Sequence, residues 1–324
     1  MINQEKAIKT QRNGFWATAN KWVVFIALIT IVLIFSILNK NFFSIRTFFA
    51  IGMTLSVIGV ICIGQTLCIL TGGFDLSVGE VAAFSAILSA YLCEKLGVSY
   101  GVAVAASMGF GLLVGSINGI LIAKLKINAL ITTLSFMSVY KGFIYILSQG
   151  YSITVKNPAY SVVGTMRVMG IPLPIIILFG LYCIFYVILR FTVFGRYIYS
   201  FGGNAEAARI AGINTEKVQI LVYTICSSLA AFAGLMLASR LGAAQATAGG
   251  SYSLDSVAAV VLGGTVLSGG KGNIWGTLLG VSILCVLQTG LIMIQMPIYY
   301  QYVATGGVLI LAVLLQTFDD RKKK

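Results

Sequence analysis

The stretch Gly195–Lys217 reads GRYIYSFGGNAEAARIAGINTEK and is the most polar interior segment of a very apolar chain. Asn204 is placed to cap a short helix over 205–211, because an Asn side chain accepts hydrogen bonds from the free N–H groups of a helix start. Gly212 stands where a left-handed C-terminal cap belongs, and Asn214 is placed to cap the helix that follows. The pattern predicts a short, rigid helical segment in water, here called the knob, between two halves of a membrane protein.

Two interpretations of the knob remain open. It is a solvated loop that joins two spans, or it is a docking surface. Glu206 lies in the first turn of the predicted helix and Arg209 follows three residues later, where the two side chains can pair. Loops of this length without a role are uncommon, and the marked helix ends favour docking.

Composition places the chain in the membrane class. Of its 324 residues, 58% are hydrophobic and 10% are charged, against about 25% charged in globular proteins. The net charge is +13, but the basic residues are scattered at the ends of apolar runs, as the positive-inside rule requires. We therefore expect membrane lipid and no nucleic acid as a partner.

The chain has no histidine and six cysteines without a C-x-x-C pair. The lack of histidine removes the side chain best suited to proton relay near neutral pH, and the cysteines are interpreted as small buried hydrophobes. Residues 268–272 resemble a phosphate-binding loop, but Thr265 and Gly272 occupy the places where that loop needs Gly and Ser or Thr. We expect no catalytic residues, no metal and no cofactor in this chain, and we expect that the protein is not an enzyme.

Ten apolar runs are long enough, or nearly so, to cross a membrane, given about 20 residues per crossing. The fold expected is an all-α polytopic membrane protein, with a transmembrane domain over 22–315 between polar tails over 1–21 and 316–324. The predicted spans are 22–38, 51–70, 78–93, 101–123, 129–147, 172–189, 218–239, 257–268, 274–294 and 299–315.

Ten spans place both termini on one side of the membrane. With the N-terminus inside, the inner segments hold 15 Lys and Arg residues and the outer segments hold 6. Because positively charged loops stay in the cytoplasm, both tails and the knob are predicted to be cytoplasmic.

The third and eighth spans are short, and each follows a glycine pair and an aspartate. The first such sequence runs from Gly72-Gly73 through Asp75, and the second from Gly249-Gly250 through Asp255. The two spans lie five apart, so they cross the membrane in opposite directions and predict an inverted repeat. Broken segments at matching places in two halves are the best sequence pointer to a translocation site.

Acidic residues near the membrane core need a structural or functional explanation, since inserting an aspartate at the centre of a membrane helix costs about 2.5–3.5 kcal/mol of free energy. One interpretation is a polar pathway or a proton site. The other is helix capping: Ser77 and Glu80 fit a capping box, and Asp255 or Ser253 is placed to cap the eighth span. The pathway candidates are Asp75, Ser77, Glu80, Asn118, Asp255 and Gln288.

Other polar and small residues in the spans have simpler interpretations. Asn118, Gln288 and Gln65 suit hydrogen bonds between helices. Glycines four residues apart let helix backbones approach closely, and packing is the favoured role for Gly111, Gly115, Gly119, Gly276 and Gly280.

From about residue 45 to 316 the chain resembles the permease subunit of ribose-type, binding-protein-dependent ABC importers. Glu206-Ala207-Ala208 with Gly212 matches the E-A-A-x-x-x-G core of importer permeases, and in that class the segment is the coupling helix. The other matching motifs are Leu70–Gly79, Ile117–Gly119, Phe194–Arg196, Gly202–Asn204, Ser239–Leu241, Val257–Thr265 and Leu267–Gly270.

The resemblance implies a bacterial inner-membrane permease for a monosaccharide such as ribose. It implies a second permease copy, separate ATPase subunits that bind ATP, and an extracytoplasmic sugar-binding protein. Departures at Asn128-Ala129, at Gln288-Thr289-Gly290, and in the lack of glutamates near Gly250 and Ser253 weigh against ribose more than against sugars. The coupling residues implied are Gly203, Asn204, Glu206, Ala207, Ala208, Arg209 and Gly212.

Two alternatives belong to other classes. A proton-coupled secondary transporter would use Asp75, Glu80 and Asp255, although the chain lacks histidine. An intramembrane enzyme would need paired catalytic groups, which the sequence does not offer.

Overall fold

The computed structural model describes residues 24–307 and residue 310. The predicted tails over 1–21 and 316–324 lie outside this part of the chain, as do the first residues of the first predicted span and the last of the tenth. The described chain is almost wholly helical. Four two-residue strands form two antiparallel pairs, β1 (Ile153–Thr154) with β4 (Ala243–Ala244) and β2 (Arg167–Val168) with β3 (Ile171–Pro172).

The helices follow one another with short connections. In chain order they are α1 (Val24–Leu38), α2 (Ile45–Leu70), α3 (Val78–Glu94), α4 (Tyr100–Ala123), α5 (Ala129–Ser148), α6 (Pro158–Thr165), α7 (Leu173–Phe191), α8 (Val193–Gly203), α9 (Ala205–Ile210), α10 (Thr215–Leu241), α11 (Tyr252–Leu262), α12 (Ile274–Met293) and α13 (298–307).

Six of these helices, α2, α4, α5, α7, α10 and α12, are long and apolar enough to cross a membrane. A helix lies in the described part of each predicted span, although in the eighth its bounds differ. The structure therefore confirms an all-α polytopic membrane protein.

The predicted bounds of the eighth span were wrong. The helix there, α11, runs over Tyr252–Leu262 rather than 257–268. It ends early because Gly264 adopts a left-handed conformation with φ +86°, and Thr265 returns a hydrogen bond to the carbonyl of Val260 at 3.2 Å. This is the usual glycine stop of a helix, and apolarity alone does not reveal it.

Helix α10 lies at the centre and packs against α2, α3 and α4, while α11 and α12 pack against α2 and against each other. Helix α10 contacts α4 along the glycine face that the sequence predicted on α4. A Cβ on Gly115 would lie 2.6 Å from the carbonyl oxygen of Tyr223, and one on Gly119 would lie 2.7 Å from Cα of Ile220. The packing role expected for these glycines is confirmed.

Helices α3 and α11 begin side by side inside the bundle and run in opposite directions. At their starts the backbones of Gly79 and Gly249 touch, so neither position has room for a Cβ. Helix α11 leads to a loop over 265–272 that contacts the knob. Helix α3 leads to the other end, where the Ser89 and Tyr160 hydroxyls lie 2.8 Å apart. This arrangement is the one that an inverted repeat requires.

Candidate functional site

The two predicted caps of the knob are present. The Asn204 side chain accepts from the backbone N–H of Ala207 at 2.9 Å, and the Asn214 side chain accepts from the N–H of Lys217 at 2.9 Å. Each bond satisfies an N–H that has no partner within its own helix. The starts of α9 and α10 are therefore fixed.

Gly212 closes α9 as predicted, with φ +84°. Its N–H donates to the carbonyl of Arg209 at 3.0 Å, and the N–H of Ile213 donates to the carbonyl of Ala208 at 3.0 Å. These two bonds form a Schellman motif, which depends on a residue that adopts a left-handed conformation without strain. The turn between α9 and α10 is thereby held in one shape.

The outer face of α9 is free among the described residues. Ala208 is only 4% exposed and anchors the helix inward, while Arg209 and Glu206 pair at 2.7 Å on the surface. Ile210 is 79% exposed, which the sequence reasoning missed. An isoleucine this exposed beside a fixed turn indicates a docking surface. Its position directly after Arg209 in the predicted surface helix was the sequence signal that could have revealed it.

The base of the knob is α8, which the sequence did not predict. The Tyr199 hydroxyl donates to the carbonyl of Gly272 at 3.1 Å, and the N–H of Gly270 donates to the carbonyl of Leu70 at 2.9 Å. Gly202 lies directly against both Leu70 and Gly270. The knob therefore rests on the end of α2 and on the loop that follows α11.

Inside the bundle, Asp75 is the centre of a buried polar cluster. Ser77 donates to its Oδ1 from the backbone N–H at 2.9 Å and from the hydroxyl at 2.6 Å. Ser227 of α10 donates to its Oδ2 at 3.4 Å, and the amide of Asn118 on α4 donates to the Ser77 hydroxyl at 3.2 Å. The cluster holds the start of α3 to α4 and α10.

The predicted capping box at the start of α3 is wrong. Ser77 is the residue before the helix, but its side chain makes no cap hydrogen bond, because its hydroxyl donates to Asp75 instead. The sequence pattern could not show this, since Asp75 competes for the same hydroxyl through a turn of its own.

The predicted cap of α11 by Asp255 or Ser253 is also wrong. The residue before that helix is Ser251, without a side-chain cap bond. Ser253 instead faces α3, where its hydroxyl donates to the carbonyl of Leu76 at 2.7 Å and accepts from the N–H of Gly79 at 3.2 Å. A side chain of α11 therefore satisfies a free N–H at the start of α3. These two helices, which each follow a glycine pair, are here called the broken helices.

The remaining polar candidates lie in two other places. Asp255 is buried with Ser251 and Gln288 as polar neighbours, and its Oδ2 has no hydrogen-bond partner among the described residues. Glu80 is buried on α3, and Lys141 of α5 is its charged neighbour. The structure thus joins Asp75, Ser77 and Asn118 in one cluster and leaves the other three candidates outside it.

Chemically, this arrangement suits mechanical coupling. Helices α3 and α11 meet start to start. Buried side chains hold the start of α3 to α4 and α10, and the loop that follows α11 supports α8 at the base of the knob. Half-helices that begin within the membrane are typical of solute sites in transporters. The acidic side chains here are buried and hydrogen-bonded or isolated, and no described pair is arranged as a nucleophile with its base.

Comparison with known proteins agrees with this reading. A family model described as "Branched-chain amino acid transport system / permease component" matches residues 47–313. The ribose import permease protein of Bacillus subtilis is 40% identical over 325 residues, which cover 100% of this chain and 99% of that protein.

Two relatives from Escherichia coli strain K12 are similar over most of their length. Its ribose import permease protein is 40% identical over 303 residues, 92% of this chain and 93% of that protein. Its L-arabinose transport system permease protein is 34% identical over 309 residues, 95% of this chain and 93% of that protein. No solved structure matches the chain. With its polytopic helical fold and this match over most of its length, the chain belongs to the family of transport-system permease components.

Proposed function

We propose that this permease forms the solute pathway of an ATP-driven (ABC) importer for a monosaccharide such as ribose. The relatives named above import ribose or arabinose. In this proposal ATP is bound by separate ATPase subunits, an extracytoplasmic sugar-binding protein delivers the solute, and a second copy of the permease completes the pathway. Both termini and the knob lie in the cytoplasm of a bacterial cell.

The observation that carries the proposal is the knob. Helix α9 is capped at both ends and seated by Ala208, so its outer face is rigid. Its base, α8, contacts the end of α2, which leads into α3, and the loop that follows α11. A push on α9 by an ATPase would therefore pass through α8 to the end of α2 and to the loop after α11, and so reach both α3 and α11. The docking residues proposed are Gly203, Asn204, Glu206, Ala207, Ala208, Arg209 and Gly212.

The pathway candidates take two roles in this proposal. Asp75, Ser77 and Asn118 are fully buried and serve as the hinge that holds the start of α3. Glu80, Asp255 and Gln288 lie outside that cluster and are the polar groups of the pathway wall.

Reconstitution tests the docking surface. The permease, its ATPase and its binding protein are placed in liposomes, and ATP-driven sugar uptake is measured. The double variant Glu206→Arg with Ala207→Phe should abolish uptake, because a charge is reversed and a bulky ring is placed on the docking face. Lys124→Glu reverses one charge elsewhere on the chain and should retain uptake. Full uptake by the double variant would refute docking at α9.

The proton-coupled alternative is tested on the permease alone. It requires a titrating carboxylate, and Asp75, Glu80 and Asp255 are the acidic residues inside the described bundle. The carboxylate of Asp75 already accepts three hydrogen bonds, which gives it a structural task. Sugar uptake driven by a pH gradient in liposomes that contain neither ATPase nor ATP would establish the alternative and overturn the importer.

A further inference from the structure

Helix α5 is the least buried of the six long apolar helices. At 3.6 residues per turn, the exposed residues Ser135, Ser138, Gly142 and Tyr145 form one stripe with Lys141 beside it. The exposed side chains of Ile131 and Leu134 lie on the same side of the helix, nearer its start. A second exposed stripe lies next to the first and contains only apolar side chains, which are Val139, Phe143 and Ile146.

Lys141 is the residue that decides what the first stripe faces. It lies about 18 Å from the first residue of α5 and about 10 Å from the last, at 1.5 Å per residue. Within the described chain it makes no hydrogen bond and no ion pair within 4.0 Å, and Glu80 of α3 is a charged neighbour. A charged side chain deep in a membrane-spanning helix faces either a protein partner or water.

The serines of the stripe do not decide the question. Ser135 and Ser138 donate to the carbonyls of Ile131 and Leu134, at 2.8 and 3.4 Å. Hydroxyls satisfied in this way are tolerated beside lipid. The amine of Lys141 and the hydroxyl of Tyr145 have no such partner among the described residues, and they require polar surroundings.

The inverted repeat gives an independent indication. Five spans after α5 comes α13, which is its counterpart in the second half of the chain. That helix also presents polar aromatic side chains to the outside, with Tyr299 and Tyr302 each 66% exposed. Matching helices of the two halves thus both carry exposed hydrogen-bonding groups.

We propose that the stripe Ser135–Ser138–Lys141–Tyr145 of α5 lines the water-filled solute pathway, and that the Lys141 amine donates hydrogen bonds to the hydroxyl oxygens of a polyhydroxylated solute. The charge of its neighbour Glu80 offsets that of Lys141, so that a neutral solute is accommodated. The stripe of Val139, Phe143 and Ile146 faces lipid. The inference rests on the proposed function, because it concerns the same pathway.

Water access to the stripe is measured by cysteine labelling, which needs no transport. Ser138→Cys and Val139→Cys are neighbours at the same depth on opposite stripes, and both are made in a Cys183→Ser background because Cys183 is exposed. A charged thiol reagent that does not cross membranes is applied with and without ATP. Ser138→Cys should react about tenfold faster or more in at least one state, since only a thiolate in water reacts.

Equal or negligible labelling at the two positions in both states would overturn the proposal. A disulfide between two copies at Ser138→Cys without any labelling would also overturn it, because it would indicate a dry contact between permease copies. Tyr145→Cys and Ile146→Cys, again neighbours at one depth on the two stripes, provide a second matched pair, which guards against a variant that fails to fold.

The role of Lys141 in solute contact is tested separately in the assembled importer. Lys141→Gln should lower uptake at low sugar concentration by about tenfold, the effect of one lost charged hydrogen bond. Lys141→Arg keeps the charge and the donors and should retain most of the uptake. Equal uptake by the Gln variant would refute solute contact. If the proposed function itself were wrong, the unaltered complex would import no sugar, while the labelling would still report whether water reaches α5.

Discussion

Gly270 donates its backbone N–H to the carbonyl oxygen of Leu70 at 2.9 Å, which joins the end of α2 to the loop after α11. Helix α8 lies over this bond, with Gly202 in direct contact with both residues. The chain continues from Leu70 into α3 and arrives at Gly270 from α11. A displacement of the knob therefore acts on both broken helices at once.

This contact predicts that Gly202→Ala uncouples the knob from the bundle. A Cβ there would overlap the Leu70 carbonyl oxygen and lie 2.5 Å from the nitrogen of Gly270. Backbone atoms cannot yield as a flexible side chain does, so a loss of about 1–3 kcal/mol in stability is expected, the usual cost of overpacking. Thermal unfolding in detergent and ATP-driven uptake measure the two effects.

The adjacent residue provides the control for that experiment. Gly203 has nothing within 4 Å of the place where a Cβ would stand, so Gly203→Ala should leave thermal unfolding unchanged. If both variants behaved like the unaltered protein, the contact of Gly202 with Leu70 and Gly270 would not couple the knob to the bundle.

A second pair of glycines tests the meeting of the broken helices. Gly249→Ala places a Cβ into the backbone of Gly79 and 3.2 Å from Cβ of Ala83, whereas Gly250→Ala meets its nearest atom at 3.7 Å. The first variant should lower stability by about 1–3 kcal/mol and block uptake, because α3 and α11 can no longer begin side by side. The second should behave as the unaltered protein in thermal unfolding and in uptake. Equal stability of both variants would indicate that α3 and α11 do not meet at Gly79 and Gly249.

Features governed by local rules were predictable from the sequence. The Asn204 and Asn214 caps and the Gly212 stop depend on residues within one turn of a helix, and the structure contains all three. The spans were found because apolar length is a property of one segment. The opposite directions of α3 and α11 followed from counting the spans between them.

Features that depend on a distant partner were not predictable. Ser77 and Ser253 both carry side chains suited to capping, but Asp75 and the start of α3 take their hydroxyls. Gly164 is another case: its N–H donates to the Ser239 hydroxyl at 2.9 Å and docks α6 against α10, although no helix was predicted between the spans 129–147 and 172–189. A single sequence does not show which elements meet.

The Asp75 cluster yields a prediction that separates structure from proton transfer. Asp75→Leu removes the acceptor of both Ser77 donors and of Ser227, and buried donors left unpaired cost about 1–3 kcal/mol. Asp75→Asn keeps an oxygen for Ser77 and should retain most of the stability and uptake. Thermal unfolding and ATP-driven uptake distinguish the two variants. Loss of uptake in a stable Asn variant would instead indicate that the carboxylate titrates during transport.

Ile210 yields a prediction about affinity for the ATPase. Its side chain is 79% exposed on α9 beside the fixed turn at Gly212, so it can enter a pocket of a partner without a conformational change. Ile210→Ser should weaken ATPase binding by about tenfold, since a buried anchor at an interface contributes more than 1 kcal/mol. Thermal unfolding should not change, because little of this side chain is buried in the permease. Ala211→Ser, in the same turn and also exposed, is the control, and binding is measured with the permease in lipid nanodiscs. If the Ile210 and Ala211 variants bound the ATPase equally well, the interface would lie on the Glu206 side of α9 alone.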